Sequence, residues 1–102
     1  MQQPKVSIMI PTYNQKDYLR NTIISVINQD YDNIEIVISD DASTDDTESL
    51  VTEIIKDNPD RDIKYIRRTS NLGHIANYHD TLQNIVTGEY VLNLDGDDFL
   101  LI

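Results

Sequence analysis

Asp95-Gly96-Asp97-Asp98 sets three carboxylates within four residues, directly after the apolar run Tyr90-Val91-Leu92-Asn93-Leu94. Carboxylates this close repel one another, and burying any of them unpaired is costly. Such a cluster calls for a cation, a helix N-terminus or open water. The Asp-x-Asp spacing of Asp95 and Asp97 lets two carboxylates converge on one hard divalent ion and leaves coordination sites for water and phosphate oxygens. No helical pattern follows the cluster and no basic residue neutralises it, so its structural explanations are weak.

Three other segments carry unusual chemistry. In Asp40-Asp41-Ala42-Ser43-Thr44-Asp45-Asp46, Asp45 and Asp46 suit the positive end of a following helix, with Ser43 or Thr44 as its cap. Adjacent carboxylates on extended backbone point to opposite sides, so at most one of Asp40 and Asp41 helps to cap. Asp41 is the candidate for function. In Pro11-Thr12-Tyr13-Asn14, Pro11 reads equally as a strand stop or as part of a site, and Tyr13 as a rim aromatic or a ligand contact. Asn71-Leu72-Gly73 reads as a turn with Gly73 at positive φ. His74 and His79 fit helix-surface or capping roles. Arg67 and Arg68, the only adjacent basic pair, are solvated charges unless they face an anionic ligand.

The elements that must position these residues alternate between two periods. A β-branched run at 6–10 is closed by Pro11, which cannot continue a central strand. Leu19, Ile23, Val26 and Ile27 recur at helical spacing within about 15–29, with Asn14 and Asp17 as a capping pair. A second strand is expected at 34–38 and a helix at about 44–56 with Leu50, Val51, Ile54 and Ile55 as its stripe, ended by Asn58-Pro59-Asp60. A third strand at 63–66, a helix striped by Ile75, Tyr78, Leu82, Ile85 and Val86 and stopped at Thr87-Gly88, and a fourth strand at 90–94 complete the pattern.

Strand and helix alternating through four strands imply right-handed βαβ crossovers and a mostly parallel sheet with helices on both faces. Parallel strands present their carboxyl ends along one edge. The segments after strands one, two and four gather there, where open sheets of this kind bind ligands.

Composition sets the outer limits. The 102 residues are enough for one domain with a real core. A net charge of −10 argues against non-specific nucleic-acid binding and leaves nucleotide binding open, because a metal can supply positive charge. Without cysteine there is neither a disulfide framework nor a thiolate metal site. The apolar run at 6–10 is too short for a signal-peptide core or a membrane span, and the expectation is a soluble, cytoplasmic chain.

Side by side, the four segments resemble the nucleotide-binding half of a family 2 glycosyltransferase with the Rossmann-like GT-A fold. The resemblance rests on Val6 through Asn14, Ile38-Ser39-Asp40-Asp41-Ala42-Ser43-Thr44-Asp45, Asn71-Leu72-Gly73, and Gly88 through Asp98, and it covers essentially the whole chain. It implies that residues 1–102 are the donor-binding portion of a truncated GT-A domain. It further implies an inverting transfer of sugar, hexosyl in type, from a nucleoside diphosphate sugar, commonly UDP-linked, with Mn²⁺ or Mg²⁺ on the diphosphate. Pro11, Thr12 and Tyr13 would line the nucleoside pocket, with Tyr13 beside the base. Asp41 would accept the base ring N–H, favouring uracil over cytosine. Gly73 would admit the nucleotide to the backbone, and Asp95 and Gly96 would lie beside the nucleotide sugar. Asp95 and Asp97 would be the metal pair, Asp97 the surer ligand.

Ala42 stands where the family usually has Gly. The general base and the site for a glycan or lipid-linked acceptor match no residue here and are expected beyond residue 102, so this portion alone should not turn over. The parent would act in polysaccharide, glycolipid or envelope-glycan synthesis, in the cytoplasm or at the cytoplasmic face of a membrane. Two other classes fit less well. A nucleotidyltransferase wants a glycine-rich, basic phosphate loop after strand one, and a receiver-type signalling domain wants an acidic pair there. The residues present are Pro11-Thr12-Tyr13-Asn14. Nothing in the sequence decides sugar, linkage or oligomeric state.

Overall fold

The computed structural model describes residues 3–95. Seven elements alternate along the chain: β1 (Val6–Thr12), α1 (Lys16–Ile27), β2 (Ile34–Asp40), α2 (Thr47–Asp57), β3 (Asp62–Arg67), α3 (His74–Asn84) and β4 (Tyr90–Asn93). All pairings are parallel, in the order β3-β2-β1-β4. The first two crossovers step the same way, so α1 and α2 share one face and touch each other. The third runs back past β2 and β1, which puts α3 on the opposite face. The expected α/β sheet with helices on both faces is therefore present.

The two faces are built differently. Ile8, Ile10, Ile36 and Ile38 alternate inward and meet Leu19, Ile23 and Val26 of α1 and Leu50, Val51 and Ile54 of α2 in one apolar cluster. Between them on the strands, Ser7, Met9, Glu35, Val37 and Ser39 take the α3 side, all fully buried. The buried residues of α3 are Asn77 and Thr81, one turn apart. The apolar stripe expected for this helix stays half-exposed or, at Ile75, 72% exposed. Polar contacts rather than apolar burial hold α3 on the sheet.

Strand one runs further than its sequence suggests. Pro11 lies inside β1, opposite Ser39, although β1 is a central strand. Successive residues of a parallel strand bond to alternate neighbours. Thr12 turns its carbonyl to β2, where it accepts from Asp41 N at 3.0 Å, and Met9 turns its carbonyl to Leu94 N at 2.8 Å. Pro11 shares the orientation of Met9, and β4 ends at Asn93, so its missing N–H falls where no ladder partner is paired. Helix starts also differ. Asn14 does not cap α1, whose N-cap residue is Gln15 without a capping side-chain bond, and α2 begins at Thr47 rather than 44. Asp45 instead accepts from the first N–H of both helices, Lys16 N at 3.3 Å and Thr47 N at 3.2 Å. Burial raises the affinity of Asp45 for a proton, but hydrogen bonds from Thr47 and Lys16 outweigh it and hold the carboxyl below its ordinary value.

At the amino ends of the strands, Glu35 is buried with 0% exposure. Its carboxylate accepts from Ser7 Oγ at 2.5 Å, Thr87 N at 3.0 Å, Thr87 Oγ1 at 3.1 Å and Lys64 Nζ. Ser7 Oγ in turn accepts from Gly88 N at 2.8 Å. A Cβ on Gly88 would stand 2.7 Å from the Ser7 backbone nitrogen, so glycine is required for the chain to close against β1. One carboxylate thus ties β1, β2, β3 and the lead-in to β4. Burial alone would push this carboxyl up. The bonds from Lys64, Ser7 and Thr87 overcome that and hold it at about 2, against an ordinary 4.5.

The residues in left-handed backbone are Asn14 (φ 52°), Ala42 (φ 63°) and Gly73 (φ 90°), among the described residues. All three lie on segments adjoining the carboxyl edge of the sheet.

Two measurements follow from this packing. The depressed Glu35 carboxyl contributes stability that is complete above pH 4.5 and is lost as pH falls toward 2, worth roughly 3 kcal/mol before solvent screening at the partly exposed Lys64. Glu35→Gln should therefore be less stable at pH 7 and flatter through that window in denaturant titrations; parallel acid curves for both proteins would remove Glu35 from this role. Ala42→Gly should gain about 0.5–1 kcal/mol by relieving a left-handed alanine, net of the extra freedom of an unfolded glycine. That appears as a melting temperature a few degrees higher, and a lower one would show that Ala42 is not strained.

Candidate functional site

The ends of β2 and β1 organise the carboxyl edge. Asp40, fully buried, turns toward the α1 and α2 side. It accepts from Ser43 N at 2.9 Å, Ser43 Oγ at 2.5 Å and Tyr65 OH at 2.5 Å. Burial, then the Asp40 carboxylate that takes its hydrogen bond, push the Tyr65 hydroxyl well above the usual phenol range. Ser43 Oγ also accepts from Asn14 N at 2.9 Å, and Asn14 Oδ1 accepts from Thr44 N at 2.8 Å. The segments after β1 and β2 are therefore stitched together by short polar side chains. Ser43 and Thr44 serve this seam and not the cap of α2.

Asp41 faces the other way, as adjacent residues on extended backbone must. It is 4% exposed. Its two oxygens accept from Leu72 N at 2.7 Å and Gly73 N at 3.0 Å, and its carbonyl accepts from Asn71 Nδ2 at 3.3 Å. Gly73 is the N-cap residue of α3, with φ 90° and ψ 155°. A Cβ there meets nothing within 4 Å, so the backbone conformation rather than crowding calls for glycine.

These ties open a cavity of about 420 Å³ on that edge. Its wall includes Pro11, Thr12, Tyr13, Asp41, Gly73 and Asp95, every described residue singled out above as a nucleotide-sugar or metal contact. Gly96 and Asp97 lie outside the described residues. Thr12 is buried and its hydroxyl donates to Gln15 Oε1 at 3.1 Å, whereas Tyr13 is 47% exposed at the rim. Gln15, Asn71, His74 and Asn77 also line the cavity and were not among the candidates. The turn at Asn71 and the helix start at His74 were visible as punctuation, but only the return crossover from β3 brings them opposite Asp41.

The basic pair does not line this cavity. Arg67 Nη2 donates to Ser43 O at 3.1 Å. Arg68 donates to Asn77 Oδ1 and Thr81 Oγ1, each at 3.1 Å, and pairs with Asp80 at 2.5 Å. Neither faces a ligand there. Among the described residues, no group of three His, Cys, Asp or Glu side chains comes together to cage a metal. A hard divalent cation fits the site only as an ion that takes one or two carboxylates and completes its shell with water and phosphate oxygen. Asp95, an oxygen donor on the cavity wall, is the described residue suited to that.

Known proteins resemble this chain in sequence and fold. A GalNAc(5)-diNAcBac-PP-undecaprenol β-1,3-glucosyltransferase of Campylobacter jejuni is 40% identical over 98 residues, covering 96% of this chain and 31% of its own length. An abequosyltransferase of Salmonella typhimurium is 39% identical over 97 residues, covering 93% and 28%. The chain thus spans about a third of the length of curated relatives it matches. Among solved structures, a mannosyltransferase of Pyrobaculum calidifontis in complex with GDP-Man and Mn²⁺ superposes with a TM-score of 0.88 at 31% identity, over 96% of this chain and 29% of that one. TarS of S. aureus in complex with UDP gives 0.80 at 31% identity, over 93% and 28%. The match to glycosyl transferase family 2 extends over residues 7–101 and takes in all of the described sheet except Val6, with each segment at its carboxyl edge, so the chain belongs to that family.

Proposed function

We propose that residues 1–102 form the donor-binding portion of an inverting glycosyltransferase, which moves a hexosyl group from a UDP-sugar to a glycan or lipid-linked acceptor with a divalent metal on the diphosphate. The observation that carries this reading is the cavity itself, where the exits of β1 and β2, the start of α3 and Asp95 after β4 meet. Support also comes from neighbours in complex with GDP-Man and Mn²⁺, with UDP and with UDP-GlcNAc.

In this reading Tyr13 packs against the base at the rim, and Pro11 and Thr12 form the floor of the nucleoside pocket. Asp41 keeps a lone pair on each oxygen beyond its bonds to Leu72 and Gly73, and accepts the ring N–H of uracil. Cytosine offers an acceptor at that position and is disfavoured. Gly73 presents backbone without a side chain to the nucleotide. Asp95 and Asp97 would hold Mn²⁺ or Mg²⁺, and Gly96 between them in sequence would adjoin the nucleotide sugar. Such an ion supplies Lewis-acid stabilisation of the departing diphosphate. The base that deprotonates the acceptor is an acidic residue beyond residue 102.

The undecaprenol-linked acceptor named for the Campylobacter relative supports a lipid-linked acceptor, and the proposal extends to work at the cytoplasmic face of a membrane. No described helix is long and apolar enough to cross one.

Thermal unfolding with UDP, GDP or CDP, each with Mn²⁺, tests the reading. UDP should stabilise by about 2.7 kcal/mol at a hundredfold excess over its dissociation constant, and CDP much less. Equal shifts from UDP and CDP would overturn the role of Asp41, and no shift from any nucleotide would overturn the site. Asp41→Asn puts an N–H donor against the N–H of Leu72 or Gly73; it should cost about 1–3 kcal/mol of stability and most of the preference for UDP. With Asp97→Ala the UDP shift should no longer depend on Mn²⁺; an unchanged dependence would remove Asp97 from the metal pair.

A further inference from the structure

We infer that Arg68 is a positioning residue for the nucleotide site, acting through Asn77 and the start of α3 to fix the carboxylate of Asp41. The inference rests on the nucleotide reading above and names the residues that set its base selectivity.

The start of α3 has little apolar hold on the sheet. Of its side chains only Asn77 and Thr81 are buried, and both are bound to the same guanidinium. Arg68 Nε donates to Asn77 Oδ1 and Arg68 Nη2 donates to Thr81 Oγ1, each at 3.1 Å. Asp80 closes the third side at 2.5 Å, and the Arg68 side chain is 14% exposed. The backbone N–H of Arg68 donates to Asp40 O at 2.9 Å, so the base of this side chain is anchored to the end of β2. Asn77 Nδ2 donates to Ser39 O at 3.0 Å, and Asn77 N donates to Gly73 O at 2.9 Å.

The connections form a closed circuit. It runs from Arg68 to Asn77, from Asn77 to Gly73, from Gly73 to Asp41, and back along β2 through Asp40 to Arg68. The Leu72 and Gly73 N–H groups can hold both oxygens of Asp41 only while the first turn of α3 keeps this height above the strand ends. A planar guanidinium satisfies two acceptors and a carboxylate at once, which a lysine ammonium does not reproduce. Arg68 itself does not line the cavity, so its effect on a ligand is indirect.

A double-mutant cycle on the full protein separates positioning from mere stability. UDP and CDP affinities with Mn²⁺ are titrated for the parent, Arg68→Lys, Asp41→Ala and the pair, with thermal unfolding alongside. Arg68→Lys should weaken UDP binding by about tenfold and leave CDP nearly unchanged, yet cost less than about twofold in the Asp41→Ala background. An equal loss in both backgrounds, or an unchanged UDP-to-CDP ratio with only a lower melting temperature, would overturn the inference while leaving the nucleotide site standing. Asp41→Ala without effect on UDP affinity would overturn the role of Asp41 and with it this inference, whereas a parent that binds no nucleotide would overturn the nucleotide reading. If Arg68→Lys does not fold, Asp80→Asn, which frees the outer end of the guanidinium, decides by the same ratio. A fall of about threefold supports positioning, and no change overturns it.

Discussion

Two adjacent carboxylates at the end of β2 divide the work on which the carboxyl edge depends. Extended backbone turns Asp40 to one face of the sheet and Asp41 to the other. Asp40 gathers Ser43 and Tyr65 and closes the seam with the segment after β1. Asp41 takes the N–H groups at the start of α3. Asp40 is satisfied by one backbone N–H and two hydroxyls, and Asp41 by two backbone N–H groups, so neither buried carboxylate is left without donors. The cavity opens on the Asp41 side, walled by Asp41, the start of α3 and the residues after β1, so the period-two geometry of one strand decides which of the two carboxylates reaches it.

A second carboxylate system works at the opposite end of the same strand. Glu35 is as deeply buried as Asp40 and gathers β1, β3 and the approach to β4. The apolar cluster under α1 and α2 holds one face of the sheet by burial, and the α3 face is held largely by hydrogen bonds to charged groups, which lose their strength if one partner is removed. The two faces divide stability and site geometry between them. Apolar burial tolerates small shifts, whereas a carboxylate facing two N–H groups does not.

Much of this was legible from residue order. The alternation of periods, the parallel topology and the gathering of the Pro11, Asp41 and Asp95 segments on one edge follow from local patterning and crossover handedness. That Asp40 and Asp41 point to opposite sides was legible too, since it needs only backbone geometry, but the partners of Asp40 were not. What failed was assignment by local rule. Pro11 reads as a strand end, yet its missing N–H falls beyond the last paired residue of β4. Asn14 and Ser43 read as helix caps, yet they bond to each other across 29 residues, and Asp45 serves two helices at once.

The sequence alone therefore determined the fold class, the edge on which a site must lie and the residues after each strand that reach it, because these depend on periodicity and chirality within short segments. Tertiary structure decided which polar groups meet. Arg67 and Arg68 became structural cations rather than ligand contacts, α3 buried Asn77 and Thr81 in place of its apolar stripe, and Gln15, Asn71, His74 and Asn77 joined the cavity wall. The placement of α3, of Asn71, His74 and Asn77, and of the partners of Arg68 turns on a crossover that carries the chain from β3 back past β2 and β1, a distance over which local patterns carry no information about partners.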